Sequence, residues 1–448
     1  MARGGARSRA VLRQLDAASV RWVRIVWCDH ANVIRAKAAH RRLLRDGLPD
    51  GVGITAAQQA LPVMFDAVAP DSGLGPVGEA RLMPDWSTLA ILPWSPGHAQ
   101  VLGDMTVEGR PWEQCPRDYL RRQVGALAAA GFTARAAFEN EFFLLRRTAT
   151  GYAAADDTVY AATGSMNAHQ AFVAELTATL EALGLEPEFY YPESAPGQQE
   201  ISIRYAEPLA AADRQILYRE AVRGVAERHQ LVASFLPKVH EGSAGSGCHL
   251  NFSLWRAGRS AMRDPAHPTG LSAVARHFIA GLLAHLPGLC AITVPSRNSY
   301  RRLLPHFWAG AFAVWGFDNR EAAIRVTRGS ADATRFELKT SDATANPYLA
   351  LGALIAAGLD GVDRQLALPP DVNVDPGNFS DDERQRRGIV PLPQSLGETL
   401  DALARDEVLC RSLGPARARA YLAVKRMEWQ ALRDLSLADE VTMLATRY

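Results

Sequence analysis

The chain has 448 residues, 48% of them hydrophobic and 22% charged, with a formal net charge of +1, which describes a globular chain with material for two domains. Nucleic acid is excluded as a partner by the lack of a basic patch: of 49 basic residues only Lys37, Lys238, Lys339 and Lys425 are lysine, and arginine is spread through an alanine-rich background. The arginine-rich first thirteen residues lack the apolar core of a signal peptide, no 18-residue apolar span occurs, and Cys28, Cys115, Cys248, Cys290 and Cys410 form no CxxC pair, so a cytoplasmic protein with reduced, structural thiols and no membrane partner is expected.

Residues 20–27 form a β-type run, closed by a turn at Asp29-His30-Ala31-Asn32 and resumed at 33–35, which is a hairpin signal. Pro- and Gly-rich stretches at 48–53, 69–78, 84–85 and 93–97 punctuate short strands up to about residue 105. These residues predict a small β-rich domain over 14–110. From Cys115-Pro116-Arg117-Asp118 the pattern becomes helical, with Pro116 near the start and Gly131 as the stop, so a larger domain is expected over 111–448. Within it, helices at 167–183, 211–229, 271–286 and 347–359 alternate with strands at 136–145, 200–205, 231–236, 248–254 and 322–326. The fold class is α+β. Residues 375–387 are polar and read as a mobile surface segment.

Glu139 and Glu141 stand two apart in a strand-like run, hence on one face, where their repulsion costs energy unless a cation lies between them. A solvent-facing strand edge is the alternative. Glu193 and Glu200 flank a Pro-Gly turn, His249 follows the loop Gly245-Ser246-Gly247, and Glu337 lies between Arg335 and Lys339. Oxygen-rich sets with a single imidazole suit Mg²⁺ or Mn²⁺ better than Zn²⁺. The run from Asn298 to Val326 adds Arg301, Arg302, Arg320 and Arg325 to an apolar, tryptophan-containing stretch. Planar guanidinium forks match carboxylate and phosphate, so a multiply charged anionic ligand is expected, surface ion pairs being the other reading of any one of them.

Taken in order, these fragments closely resemble the glutamine synthetase family, and the resemblance spans essentially the whole chain. It rests on Cys115-Pro116-Arg117, Glu139-x-Glu141, the Glu193 to Glu200 loop, Phe235-Leu236-Pro237-Lys238, Gly245-Ser246-Gly247-x-His249, Asn298-Ser299-Tyr300-x-Arg302, Asn319-Arg320 and Asn346-Pro347-Tyr348-Leu349-Ala350. The resemblance implies a β-grasp N-terminal domain, a catalytic domain with a curved antiparallel sheet, and a homo-oligomer, a dodecamer of two stacked hexameric rings with active sites between neighbouring subunits. It implies that Glu141, Glu193 and Glu200 hold one Mg²⁺ or Mn²⁺ and Glu139, His249 and Glu337 a second, in a site of two or three ions. Arg302 would grip the α-carboxylate of a glutamate-like acid, with Gly245 beside its amino group. Arg320, Arg325 and Arg335 would surround the phosphates of ATP, the co-substrate, with Tyr205 on adenine and Asn251 and Ser253 nearby. Arg320, Arg302 and Lys339 would be the catalytic cations of an ATP-driven amide synthesis through an acyl phosphate.

The departures bear on the amine. Trp308 stands where ammonia-using members carry a glutamate that draws in ammonium. An indole neither ionises nor accepts a proton, and it offers an apolar wall and a cation–π face. An organic amine is therefore expected in place of ammonia, the alternative being that Trp308 packs a loop while another carboxylate serves ammonia. Gly53 replaces a common serine, and Asp50 is a candidate amine contact from the neighbouring subunit. Asn251 replaces a second histidine, Ala244 an asparagine near the amino group, and Lys339 an arginine, which keeps the charge and loses the bidentate fork. Ser380 occupies the place of a tyrosine that some members adenylylate, so that regulation is not expected. The expected activity is thus γ-glutamyl amide formation from an organic amine. The same chemistry with another acid or with ammonia, or a catalytically poor scaffold, are the alternatives.

Overall fold

The structure, a computed structural model, describes residues 2–44, 50–330 and 333–448. An N-terminal helix, Ala2–Ala17, which the sequence reading does not anticipate, rests on a six-stranded sheet. Its strands are β1 (Trp22–Cys28), β2 (Ile34–His40), β3 (Val52–Thr55), β4 (Glu79–Ile91), β5 (His98–Val107) and the short β6 (Arg110–Pro111). They run in the order β2-β1-β5-β4-β3, with β6 on β5 and only the β1–β5 pair parallel. The expected hairpin is present: the buried Asp29 carboxylate accepts the backbone N–H groups of Ala31 and Val33 at 3.0 and 2.8 Å, and Asn32 takes the left-handed conformation (φ 65°). The stretch expected to break at 48–53 lies outside the described residues at 48 and 49.

The larger sheet contains β7 (Thr133–Thr148), β8 (Gly151–Ala154), β9 (Pro187–Pro192), β10 (Gln198–Ile203), β11 (Val232–Ser234), β12 (Cys248–Arg256), β13 (Arg259–Ser260), β14 (Phe312–Phe317), β15 (Ala322–Thr327) and β16 (Arg335–Leu338). Its main path is β14-β15-β16-β12-β7-β10-β9, antiparallel except for β14–β15. The long β7 is the hub, pairing with β12 through its first half and with β10, β11 and β8 through its second. Alternation sends Phe138, Phe142, Leu250, Phe252, Ile201, Phe336 and Ile324 into the main core with helices Pro116–Ala129, Pro208–Arg228, Ala273–Thr293 and Pro347–Asp363. The intervening residues are left on the opposite face.

Arg117, from the Cys-Pro-Arg motif, knots the two parts together. Its buried guanidinium reaches Asp85 and Asp104 of the first sheet at 2.9 Å each and Asp213 of helix Pro208–Arg228 at 2.8 Å. Asn346 caps helix Pro347–Asp363 by accepting from Tyr348 and Leu349, and its side-chain amide donates to Asp29 O of the first domain at 3.0 Å.

One expectation is corrected. Helix Ala273–Thr293 is long and apolar enough by composition to cross a membrane, although no such span was expected; its apolar window is interrupted by few charges because most of it is buried core, packed on helices Pro347–Asp363 and Leu396–Arg405. The segment read as mobile carries helix Asp381–Arg387, with Ser380 accepting from Glu383 N at its N-cap, acids in its first turn and arginines in its last. Strands β9, β14 and β16 and the C-terminal helices after residue 396 lie beyond the sequence reading, being short or lacking a clean period.

Candidate active site

Sheet register alone gathers the carboxylates. Glu139 of β7 lies opposite His249 of β12, and Glu141 lies opposite Glu200 of β10. On the other edge of β12, Asn251 lies opposite Glu337 of β16, which in turn faces Arg325 of β15. Because side chains alternate, His249, Asn251 and Ser253 share the face of Glu139 and Glu141. A one-residue slip of β7 would send both glutamates into the apolar core.

On that face His249 Nδ1 stands 3.0 Å from Glu337 Oε1 and 3.8 Å from Glu139 Oε1, and His249 Nε2 stands 3.8 Å from Glu141 Oε1. Glu139, His249 and Glu337 each offer a ligand atom, all within 4.8 Å of one another. His249 Nδ1 and Glu337 Oε1 are buried and neither finds a hydrogen-bond partner despite their closeness. Two like charges about 5 Å apart cost roughly 3 kcal/mol at an effective dielectric near 20, more than one hydrogen bond of about 1 kcal/mol returns. A hard divalent cation among these oxygens and one imidazole nitrogen fits both the repulsion and the orphaned atoms.

The cluster is electrostatically lopsided. Burial pushes the Glu337 carboxyl up, but Lys339 (Nζ 3.7 Å away), His249 and Arg325, whose Nε donates to it, outweigh burial and hold it well below the usual carboxylate range. Glu139 also lies low, because His249 and Lys339 overcome its burial and the repulsion of Glu337, while its second oxygen accepts from Asn251 Nδ2 at 3.1 Å. Glu193 and Glu200 go the other way: burial, and then the neighbouring carboxylates, raise them to about 7 and about 9. Glu141 accepts from Gln198 Nε2 at 2.8 Å and from Gly247 N at 2.9 Å. Among the described residues no lysine or arginine pairs with Glu141, Glu193 or Glu200. Burial and mutual repulsion thus favour the protonated forms of Glu193 and Glu200.

Arg302, only 3% exposed, sends Nη1 to Thr340 O and Nη2 to Lys339 O, both at 3.0 Å, and Nη2 also stands 3.1 Å from His249 Nε2. The glycine loop exists for this packing. A Cβ on Gly245 would come within 3.0 Å of Arg302 Cγ, and one on Gly247 would meet His249 Nε2 at 2.5 Å and Arg302 Nη2 at 2.7 Å.

All six residues expected around a nucleotide, Tyr205, Asn251, Ser253, Arg320, Arg325 and Arg335, line one cleft of about 650 Å³. Glu139 and Glu200 form its inner end, and the exposed rings of Tyr205 and Phe189 flank its outer part. Arg335 Nε donates to Asn251 Oδ1 at 2.7 Å, so the asparagine bridges Arg335 and Glu139.

Trp308 is 57% exposed in a left-handed backbone conformation (φ 54°), and the Arg320 guanidinium stacks 5.6 Å from its ring centroid. One of its two faces is therefore taken by the protein's own cation. Lys238 sits 4.8 Å from the centroid of neighbouring Phe307 in the same way. Asp50, in contrast, is exposed at the turn before β3, on the edge of the other sheet, and makes no contact with this cluster within the chain. Its expected place is across a subunit boundary.

Sequence reasoning assigned no role to Gln198, Tyr191 or Glu321. Gln198 holds Glu141, Tyr191 lies opposite Glu200 in the β9–β10 register, and Glu321 accepts from Trp308 N at 2.8 Å. A carboxylate directly after Arg320 in an apolar stretch was the available signal for the last.

Over residues 113–444 the chain matches the family described as glutamine synthetase, catalytic domain, and over residues 7–112 that described as glutamine synthetase N-terminal domain. It is 38% identical to the gamma-glutamylpolyamine synthetase GlnA3 of Streptomyces coelicolor, across 96% of this chain and 94% of that protein. It is 35% identical to a glutamine synthetase of Thermus thermophilus, across 94% and 95%. Among solved structures it is similar to a GmaS/ADP complex, with a TM-score of 0.85, 30% identity and coverage of 97% of this chain and 99% of that one. It is also similar to a novel glutamine synthase homolog, with a TM-score of 0.84, 34% identity and coverage of 96% and 99%.

Proposed function

The chain belongs to the glutamine synthetase family, whose members are ATP-dependent ligases forming C–N bonds, and we propose that this one joins glutamate, or a closely similar acid, to an organic amine. The observation that carries the proposal is Trp308: an exposed indole, stacked on Arg320, stands where the family's ammonia-using members carry an ionisable carboxylate.

ATP occupies the cleft from Tyr205 to Arg320, the relative solved with ADP supporting a nucleotide there. Glu141, Glu193 and Glu200, and separately Glu139, His249 and Glu337, are the residues that would hold divalent cations, Mg²⁺ or Mn²⁺. Such ions supply the neutralisation that lets a carboxylate approach a triphosphate. Arg320, Arg325 and Arg335 orient the phosphates, Lys339 faces the transferring phosphoryl group, and Arg302 with Gly245 binds the amino-acid end of the acid. The γ-carboxylate oxygen attacks the terminal phosphorus and ADP leaves; the amine nitrogen then attacks the acyl carbon and inorganic phosphate leaves, its proton passing to a base or water. The reaction needs no membrane and is assigned to the cytoplasm.

The same side chains narrow the amine. Arg320 and Lys238 already stand behind the two aromatic rings, so a second ammonium at this mouth meets fixed positive charge. A monoamine with a neutral body fits better than a polyamine, although the Streptomyces relative is a polyamine synthetase.

ATP-dependent phosphate release with Mg²⁺ and glutamate, run against ammonia, n-butylamine, ethanolamine, aniline and 1,4-diaminobutane with products weighed by mass spectrometry, tests both statements. A γ-glutamyl amide from a monoamine, with at least tenfold less from the diamine and none from ammonia, is expected. Trp308→Glu should lower kcat/KM for the organic amine by tenfold or more and admit ammonia. Unchanged amine use in that variant would sink the pocket assignment.

A further inference from the structure

Trp308 can wall an amine pocket only if the loop that carries it is held still, and that loop is held in an unusual way. His306 and Trp308 are both left-handed (φ 66° and 54°), and Gly310 between them and β14 is left-handed too, with no room for a Cβ, which would lie 2.8 Å from Ala323 Cα of β15. Bulky non-glycine residues persist in that region only where their surroundings over-determine them.

Two carboxylates do so. His306 Nδ1 stands 2.8 Å from Asp375 Oδ2, but His306 is exposed and that pair fixes only the loop's start. Glu321 reaches the backbone itself: its Oε1 accepts from Trp308 N at 2.8 Å. Glu321 is 5% exposed, its own N–H is held by Asn319 Oδ1 at 3.0 Å, and the Asn319 side-chain amide is fastened to Val372 O and Val374 O at 2.7 and 3.0 Å. Its Oε2 is buried without a partner. Burying a carboxylate with one oxygen unsatisfied destabilises the fold, whereas its charge-assisted hydrogen bond to the Trp308 amide is of the strong kind.

We propose that Glu321 is the positioning residue of the amine pocket: its carboxylate clamps the backbone at Trp308, and thereby sets the Trp308 indole against Arg320 as the wall that selects an organic amine. The role rests on the reading of Trp308 as that wall. Glu321 touches neither the cleft of the nucleotide nor the carboxylate cluster, so it acts through Trp308 alone. Gln at position 321 keeps an oxygen that can accept from the Trp308 amide; Asp keeps the charge and loses the reach.

The test compares Glu321→Ala, Glu321→Asp and Glu321→Gln in the full chain. Hydrogen exchange of residues 304–310 is followed by mass spectrometry, and KM and kcat are measured for n-butylamine, ammonia and ATP. Exchange of the loop at least tenfold faster in the Ala and Asp variants is expected, with the KM for n-butylamine raised about tenfold, the KM for ATP within twofold of the parent, and both properties restored to within threefold by Gln. Unaltered exchange in Glu321→Ala and Glu321→Asp, or amine and ATP KM values rising together, would overturn the clamp. Wild-type turnover with ammonia and none with n-butylamine would remove the role in amine selection, while the exchange rates alone would still report whether Glu321 holds the loop.

Discussion

Glu139 and Glu337 are balanced by His249, Lys339 and Arg325, whereas among the described residues no lysine or arginine pairs with Glu141, Glu193 or Glu200. This asymmetry fixes a pH dependence. Glu193 and Glu200 are raised to about 7 and about 9, above the values near 4.3 they have when unfolded, so the folded chain holds protons the unfolded chain has released. Their contribution to stability is complete below the unfolded value and is lost as pH climbs through 7 and 9. The melting temperature of the metal-free protein should therefore fall over that interval, and added Mg²⁺ should restore more at pH 9 than at pH 6. Calorimetric titration should show Mg²⁺ binding tightening with pH and releasing protons, and an affinity flat from pH 6 to 9 would contradict the assignment of Glu193 and Glu200 as ligands. The identities of these carboxylates were legible in the sequence because each falls in an ordered motif. Glu321 was not, since its partners are backbone amides of a loop whose left-handed turns leave no mark on composition.

At the scale of elements, hydrophobic runs and their punctuation predicted helices Pro116–Ala129, Pro208–Arg228 and Pro347–Asp363 and strands β7, β10, β12 and β15 to within a few residues, and helix Ala273–Thr293 with its last seven residues left out. What they could not convey is pairing. That β7 lies between β12 and β10, and so brings Glu139 to His249 and Glu141 to Glu200, is a long-range register set by which face of each strand is apolar. Strands β9 and β14 were missed because neither alternates apolar with polar residues, and β16 because four residues are too few to show a period. A main joint between the two sheets is Arg117, whose removal would leave Asp85 and Asp213 without their cation, Asp104 keeping Arg121 at 2.9 Å. Arg117→Ala should destabilise the fold by on the order of 3 kcal/mol, seen as a lower urea midpoint. Arg117→Lys should recover only part of the loss, because one ammonium cannot bridge three carboxylates as a fork does. A midpoint unchanged in Arg117→Ala would show that the two sheets are held without this ion cluster, by packing and by bonds such as that from Asn346 to Asp29 O.

For the molecule as a whole, the exposed Asp50 is the residue whose expected role a single chain cannot satisfy, being on the edge of the small sheet and away from the cluster. If a neighbouring subunit supplies it, catalysis belongs to a pair of chains. Light scattering should then give a mass many times the 48.7 kDa of the subunit. Mixing Asp50→Ala with Glu139→Ala protein under conditions of subunit exchange should regain part of the activity that each lacks alone, since some boundaries would pair an intact cluster with an intact Asp50. No recovery in demonstrably mixed oligomers would place the whole site within one chain.

The hub position of β7 has a kinetic corollary. The carboxylates and the imidazole of the cluster come from residues 139 to 337, on strands that meet only when β7 has zippered along both edges. Contacts so distant in sequence form late and slowly. A nascent or partly refolded chain thus offers divalent ions no half-built pocket to capture, and on refolding the recovery of ion affinity should keep step with closure of the entire sheet rather than precede it.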